Sequence, residues 1–181
     1  MKNTDNHYGW ITITLHWLVA IIIIGLFALG YWMVELGYYD PWYKQGPDIH
    51  RSIGLILFVL MLFRVAWKII ETKTKSLESH NKIEQVAGSL THKLLYLLVF
   101  VIMFSGYLIS TADGRAIEVF QWFTIPSLGE LFTNQEDIAG LIHQYVAYAM
   151  ITLVALHAMA ALKHHFIDKD KTLTRMLGKR T

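Results

Sequence analysis

The chain has 181 residues, of which 54% are hydrophobic and 17% charged, with a formal net charge of +2 and no cysteine. In soluble domains roughly a quarter of the residues are charged, so this composition excludes a soluble enzyme. Its content of aromatic and branched apolar residues excludes a disordered chain. The lack of cysteine excludes disulfides, thiolate-ligated metal centres and covalently attached haem.

Four apolar segments follow one another along the chain, and each is long enough to cross a bilayer, which takes roughly 20 helical residues. The first covers about residues 10–33 and is too long for the apolar part of a signal peptide. The others cover about residues 49–70, 90–111 and 138–164. No internal repeat is evident. The sequence predicts an all-α, integral membrane four-helix bundle that forms one domain over residues 1–181.

Basic residues are divided unequally between the two ends of this bundle. Of the 16 lysines and arginines, only Lys44, Arg51 and Arg115 fall near the linkers that follow the first and third spans. The positive-inside rule therefore predicts that both termini and the middle linker are cytoplasmic. Membrane topology and contact with anionic lipid account for the basic side, so no nucleic-acid partner is expected.

Two polar regions are expected at the bundle surfaces. The stretch 116–123 in the last linker is amphipathic, and we expect it to lie along the outer surface. His7 and His80 lie in polar flanks of the spans and are expected to be solvated.

The other seven histidines lie inside or at the ends of the spans, where ionisable residues usually face the bundle interior and have a function. His143 and His157 are fourteen residues apart on the fourth span, which places them on one side of the helix and about 21 Å apart along its axis. His16 of the first span matches the depth of His157, and His50 at the start of the second matches that of His143. The sequence thus predicts an inner and an outer histidine layer.

Two imidazoles in each layer indicate haem rather than another metal centre. A structural zinc site takes four ligands, whereas a haem iron takes axial ligands from opposite faces of a plane, and helical bundles hold cofactors between facing helices. We therefore predict two b-type haems, ligated by His16 with His157 and by His50 with His143. One alternative is isolated histidines hydrogen-bonded to Ser or Thr. Another, a histidine-lined transporter, predicts acids near the histidines, which the third and fourth spans lack.

The chain resembles the bacterial cytochrome b561 family, including its superoxide oxidase type, and the resemblance covers essentially the whole sequence. It rests on the placement of the histidines within several segments rather than on one motif. These segments are Thr12–Trp17, Ile49–Gly54, Thr91–Tyr96, Leu156–Ala158 with His164–Phe166, and Asp168–Leu177. The resemblance implies the same four haem ligands, a multi-pass location in the bacterial inner membrane, and a site for ubiquinone near the cytoplasmic side.

Further roles follow from the resemblance. Arg51 is expected to pair with a propionate of the outer haem, and Arg64 with a propionate or an acid unless it extends to the inner headgroups. His92 matches a family histidine that is not an axial ligand, and its neighbour Lys93 favours an interfacial position. His92 and His164 are the quinone candidates, the alternative for His164 being interfacial anchoring.

The resemblance implies electron transfer, and two functions are compatible with it. The first is a diheme b-type cytochrome that transfers electrons across the inner membrane between a periplasmic donor and the quinone pool, as a carrier or as a superoxide:ubiquinone oxidoreductase. The donor is superoxide or a protein, and the acidic outer side opposes steering of an anion unless Lys44, Arg51 and Arg115 converge. The alternative is a haem-bearing membrane anchor subunit for a periplasmic redox partner.

Overall fold

Four long helices dominate the computed structural model, which describes residues 2–75, 77 and 80–179. Each of these four helices is long and apolar enough to cross a membrane, so the predicted bundle is confirmed. The helices are α1 (Trp10–Met33), α2 (Gln45–Ile70), α3 (Lys82–Thr111), α4 (Gln135–Phe166) and the short α5 (Thr172–Met176).

Three of the four long helices extend beyond the predicted apolar spans, because polar residues cap and continue them. At the start of α3, the Asn81 side chain accepts a hydrogen bond from the Glu84 backbone at 2.9 Å, and the Glu84 carboxylate accepts one from the Asn81 backbone at 3.1 Å. Such reciprocal caps contribute about 1 kcal/mol. At the start of α4, the buried Gln135 amide donates to the Leu108 carbonyl at 2.9 Å. The spacing of apolar residues does not predict these polar first turns of the helices.

One end of the bundle, which we call the tail end, holds the N-terminus, the α2–α3 linker and α5. The Trp17 indole donates to the Met176 carbonyl at 2.8 Å, and the Arg175 guanidinium donates to the Lys75 carbonyl at 3.1 Å. These bonds fasten α5 to α1 and to the linker, so the C-terminal segment covers this end of the bundle.

The opposite end, which we call the hairpin end, carries a β-hairpin that the sequence analysis did not predict. Strand β1 (Ile117–Val119) pairs antiparallel with β2 (Phe123–Ile125), and Phe120 and Gln121 take positive φ in the turn, as tight hairpins require. The hairpin docks on α2, where the Ser52 hydroxyl accepts from the Phe120 backbone at 3.1 Å. The amphipathic stretch therefore lies on the bundle surface as expected, in strand form.

The apolar core lies halfway along the four helices. Helix α1 packs mainly against α2, and α3 against α4, so the bundle consists of two helical pairs that meet at this core. Many large apolar side chains on the helices point outward, as contact with lipid requires. The buried core residues are Val19, Ile23, Leu57, Met61, Val99 and Met150.

Candidate functional site

The histidine pair at the hairpin end joins α2 to α4. The ring centroids of His50 and His143 lie 6.1 Å apart, with the ring planes inclined at 66°. Two imidazoles that bind one metal ion from opposite sides, with metal–nitrogen bonds of about 2.0–2.1 Å and about 1.1 Å from nitrogen to centroid, have centroids about 6.3 Å apart. The spacing of this pair therefore fits one metal ion between the two rings.

Helix α3 orients the His143 ring. Its Nδ1 lies 3.0 Å from the carbonyl oxygen of Ile102 and 3.1 Å from Oγ of Ser105. Because a carbonyl only accepts hydrogen bonds, the proton sits on Nδ1 and the lone pair on Nε2. This is the tautomer of a metal-ligating histidine whose second nitrogen is held by a backbone acceptor.

Two glycines make room for the rings of this pair. A Cβ atom on Gly30 would lie 3.2 Å from Cε1 of His50, and one on Gly106 would lie 3.1 Å from Cε1 of His143. Each ring therefore rests against bare helix backbone, a close approach that glycine permits. Nδ1 of His50 is buried, and no described residue forms a hydrogen bond with it. Packing rather than hydrogen bonding thus positions the His50 ring.

The histidine pair at the tail end joins α1 to α4. The ring centroids of His16 and His157 lie 6.3 Å apart, again inclined at 66°, which fits the same ligand spacing. A third ring, that of His92 on α3, lies 5.2 Å from His157 between centroids. His92 is thus closer to the tail-end pair than the interfacial position expected beside Lys93, and this end offers three imidazoles rather than two.

Arg64 contacts the tail-end pair from within the bundle. Its Nη2 lies 3.1 Å from Nδ1 of His16, its Nε donates to the Tyr96 hydroxyl at 3.0 Å, and its Nη1 reaches the Leu15 carbonyl at 3.4 Å. The side chain therefore joins three helices, and it forms no ion pair with an acid of the described residues. Because a guanidinium only donates, Nδ1 of His16 accepts, and its proton sits on Nε2. A metal ion on Nε2 would require Arg64 to release this ring.

Two of the three basic residues at the hairpin end, Arg51 and Arg115, are paired with aspartates. Arg51 forms an ion pair with Asp48 one turn earlier in α2, and Arg115 donates from Nε to Asp113 at 2.6 Å. Hydrogen bonds from Arg115 lower the pKa of Asp113, and Asp113 in turn raises the pKa of Arg115. These two arginines therefore do not form a surplus of positive charge at this end.

A cluster of ion pairs lies beyond the tail-end histidines. Nδ1 of His164 lies 2.8 Å from Oδ2 of Asp168 and 3.2 Å from Oδ2 of Asp170, and Nε2 of His80 lies 2.9 Å from Oδ2 of Asp170. The expectation of a solvated His80 is wrong, since its side chain is 17% exposed and holds the linker against the tail. The sequence missed this cluster because its members come from three separate segments.

Comparison with known proteins gives a consistent result over nearly the full length. The family described as prokaryotic cytochrome b561 matches residues 7–179. Cytochrome b561 homolog 2 of Escherichia coli (strain K12) is 49% identical over 177 residues, which cover 98% of this chain and 94% of that protein. The probable superoxide oxidase CybB of Yersinia pestis is 28% identical, covering 96% and 97%. Cytochrome b562 of Cereibacter sphaeroides is 27% identical, covering 96% of each chain.

Proposed function

The chain belongs to the prokaryotic cytochrome b561 family of multi-pass inner-membrane electron-transfer proteins with b-type haem, and we propose that this member is a diheme cytochrome linking a periplasmic donor to the quinone pool. One observation carries the proposal. Two histidine pairs, with centroid separations of 6.1 Å and 6.3 Å, lie on either side of the apolar core, each at the spacing of two axial ligands.

In this proposal, His50 with His143 and His16 with His157 hold one haem each. The iron supplies reversible one-electron chemistry, and the protein sets its position and electrostatics. The Ile102 carbonyl holds the proton of His143 on Nδ1, which keeps Nε2 available as the ligand atom. With two histidines holding each haem, the haems would supply electron transfer rather than O₂ binding.

Electron passage between the two sites would run along α4, whose two histidines are separated by about 21 Å of helix axis. The core around Met150, which is 4% exposed, excludes water between the sites. Because the positive-inside rule favours a cytoplasmic tail end, the hairpin-end pair would lie on the periplasmic side, nearer the donor.

The quinone site is proposed at the tail end, with His92 and His164 as its candidates. Reduction of a quinone consumes protons, and Nδ1 of His164 lies 2.8 Å and 3.2 Å from carboxylate oxygens of Asp168 and Asp170, so polar side chains are available to a quinone at this end. Arg64, once it has released His16, is free to pair with a haem propionate.

The charge distribution favours a protein over superoxide as donor. Arg51 and Arg115 are each paired with an aspartate. They therefore do not create the positive surface potential that would speed the binding of a small anion. Arg51 is thereby held away from the propionate partner expected for it until Asp48 releases it. A redox protein with a basic patch is the better match, and it also suits the alternative role of haem-bearing anchor subunit.

The experiment uses the haem-loaded chain in anaerobic vesicles and follows the haem absorbance. We expect ubiquinol to reduce the haem and oxidised ubiquinone to reoxidise it, with His164→Gln slowing both reactions at least tenfold. Failure of ubiquinol and ubiquinone to react with the chain would contradict the proposal.

A second measurement separates the donors. Superoxide generated at the periplasmic face, with superoxide dismutase as control, should yield little ubiquinol. Rapid ubiquinol formation that dismutase abolishes would establish superoxide as donor. Gentle purification from native membranes should retain a soluble redox subunit if the chain is an anchor.

A further inference from the structure

Four polar side chains gather at the tail end, beyond the proposed haem ligands. His80 comes from the α2–α3 linker, His164 from the last turn of α4, and Asp168 and Asp170 from the segment before α5. Nε2 of His80 lies 2.9 Å from Oδ2 of Asp170, and Nδ1 of His164 lies 3.2 Å from the same oxygen and 2.8 Å from Oδ2 of Asp168. Three donor atoms from three segments, those of His80, His164 and Asp170, thus lie close together, and Asp168 is paired with His164 at the edge of this group.

These distances are close to those that a metal ion imposes on its ligands. With bonds of about 2.0–2.1 Å to nitrogen and oxygen, ligand atoms around a tetrahedral zinc ion lie about 3.4 Å from each other. The donor atoms of His80, His164 and Asp170 all lie within 4.8 Å of one another. Two of the three separations, at 2.9 Å and 3.2 Å, are already near the tetrahedral spacing, so rotation of the two imidazole rings would complete a coordination site.

The ligand chemistry suits zinc. Two imidazoles with one or two carboxylates form a common zinc donor set. Burial alone would raise the pKa of Asp170, but hydrogen bonds from Thr172 and His80 lower it below its usual range. The hydrogen bond from Lys163 lowers the pKa of Asp168. Asp170 supplies the carboxylate oxygen of this donor set.

One nitrogen in the cluster lacks a hydrogen bond. Nδ1 of His164 is shielded from solvent, and neither nearby carboxylate contact has hydrogen-bond geometry. In a neutral imidazole whose lone pair is on Nδ1, that lone pair would face two negative oxygens at close range. A cation bound between the nitrogen and the carboxylate oxygens would replace this repulsion by attraction to each of these atoms.

We propose that His80, His164 and Asp170, with water as fourth ligand, form a binding site for one zinc-class divalent cation. The site is separate from the four proposed haem ligands and does not depend on them. A bound ion would tie the α2–α3 linker, α4 and the C-terminal segment together. It would also occupy His164, so zinc and a quinone that uses this histidine would compete.

The test is titration of ZnCl₂ into the full, haem-loaded chain in detergent, after treatment with chelator and its removal, with heat of binding as readout. We expect one Zn²⁺ per chain with a dissociation constant in the micromolar range or tighter. His80→Gln, which replaces a ligand by a weaker one of similar shape, should raise that constant at least tenfold, as should Asp170→Asn. His7→Gln changes a histidine outside the cluster and should leave the constant within twofold.

Zinc binding of equal strength in His80→Gln and the unchanged chain would overturn the proposal, as would the absence of binding at one equivalent. The haem spectrum of each variant reports whether the bundle is folded. If Asp170→Asn loses its spectrum, His80→Gln alone decides. Failure of zinc binding leaves haem content and reaction with quinol intact, so it is distinguishable from failure of the proposed function.

Discussion

The two histidine pairs have nearly the same geometry and different surroundings. Their ring separations differ by only 0.2 Å, at 6.1 Å and 6.3 Å. At the hairpin end, a backbone carbonyl and two glycines hold the rings. At the tail end, the guanidinium of Arg64 and a third imidazole, His92, lie beside the pair. The two pairs thus have the same ring separation, but neutral groups surround the pair at the hairpin end and a charged guanidinium lies beside the pair at the tail end.

In the proposed function, this difference would give the two ends separate tasks. A fixed cation near an iron centre favours its reduced, less positive state, so Arg64 should raise the reduction potential of the tail-end site above that of the hairpin-end site. Electrons entering at the hairpin end would then pass downhill toward the proposed quinone site. Substitutions that change one end at a time should therefore have different effects.

The largest expected effect is loss of a haem. His143→Ala should remove the hairpin-end haem completely and halve the haem content, because in the described part of the chain no other histidine ring contacts this pair. His157→Ala should also lose its haem, but less completely, since His92 lies 5.2 Å from the vacated ring. Haem per chain is measured as the pyridine haemochrome.

The double variant His157→Ala/His92→Ala should abolish any haem that the single variant retains, whereas His92→Ala alone should keep both haems. A fall to one haem in His92→Ala would show that His92, rather than His16, is the partner of His157.

A smaller effect is expected from a larger side chain beside the His143 ring at the hairpin end. Gly106→Val places its Cβ 3.1 Å from Cε1 of His143, so the ring must move and haem occupancy at this end should fall by about half or more. Gly25→Val is the matched control, because a Cβ there meets nothing within 4 Å. Equal haem occupancy in the two variants would mean that Gly106 does not position the ring.

Removing the charge at the tail end should shift a potential without removing haem. Arg64→Met should lower the midpoint of the tail-end haem by on the order of 50–100 mV, the one-electron equivalent of a charge interaction at an effective dielectric constant of about 20. Arg64→Lys, which keeps the charge, should shift it much less. Spectroelectrochemical titration measures both midpoints, and equal values in Arg64→Met and the unchanged chain would contradict the assignment.

The smallest expected effect concerns the β-hairpin. Ser52→Ala removes the hydroxyl that accepts from the Phe120 backbone at 3.1 Å, which should cost about 1–2 kcal/mol because the amide is left without its partner. We expect faster hydrogen exchange of that amide with haem content unchanged. Unaltered exchange would mean that the hairpin docks on α2 through apolar contacts alone.

The sequence predicts those features that follow from the regular geometry of a helix. It does not predict contacts between segments that are distant in the chain. The bounds of α1 and the equal depths of His16 with His157 follow from helix geometry and the thickness of a bilayer, which act on every residue alike. The Ile102 carbonyl that orients His143 could not be predicted, since a backbone acceptor has no residue-type signature. The partners of His80 lie some 90 positions away in sequence, and spacing along one helix does not report them.

The β-hairpin shows a second limit. The stretch 116–123 is amphipathic, and its buried residues alternate with exposed ones at the period of a strand. Over so few residues that pattern does not separate a strand from a surface helix. The docking site on Ser52 decides between them, and it belongs to another segment of the chain.

The most direct measurement is the number of haems per chain in the purified full-length protein made with ample haem supply. The pyridine haemochrome and the reduced-minus-oxidised spectrum should together give two b-type, six-coordinate haems per polypeptide. One haem per chain, or a colourless protein, would contradict the assignment of both histidine pairs as axial ligands.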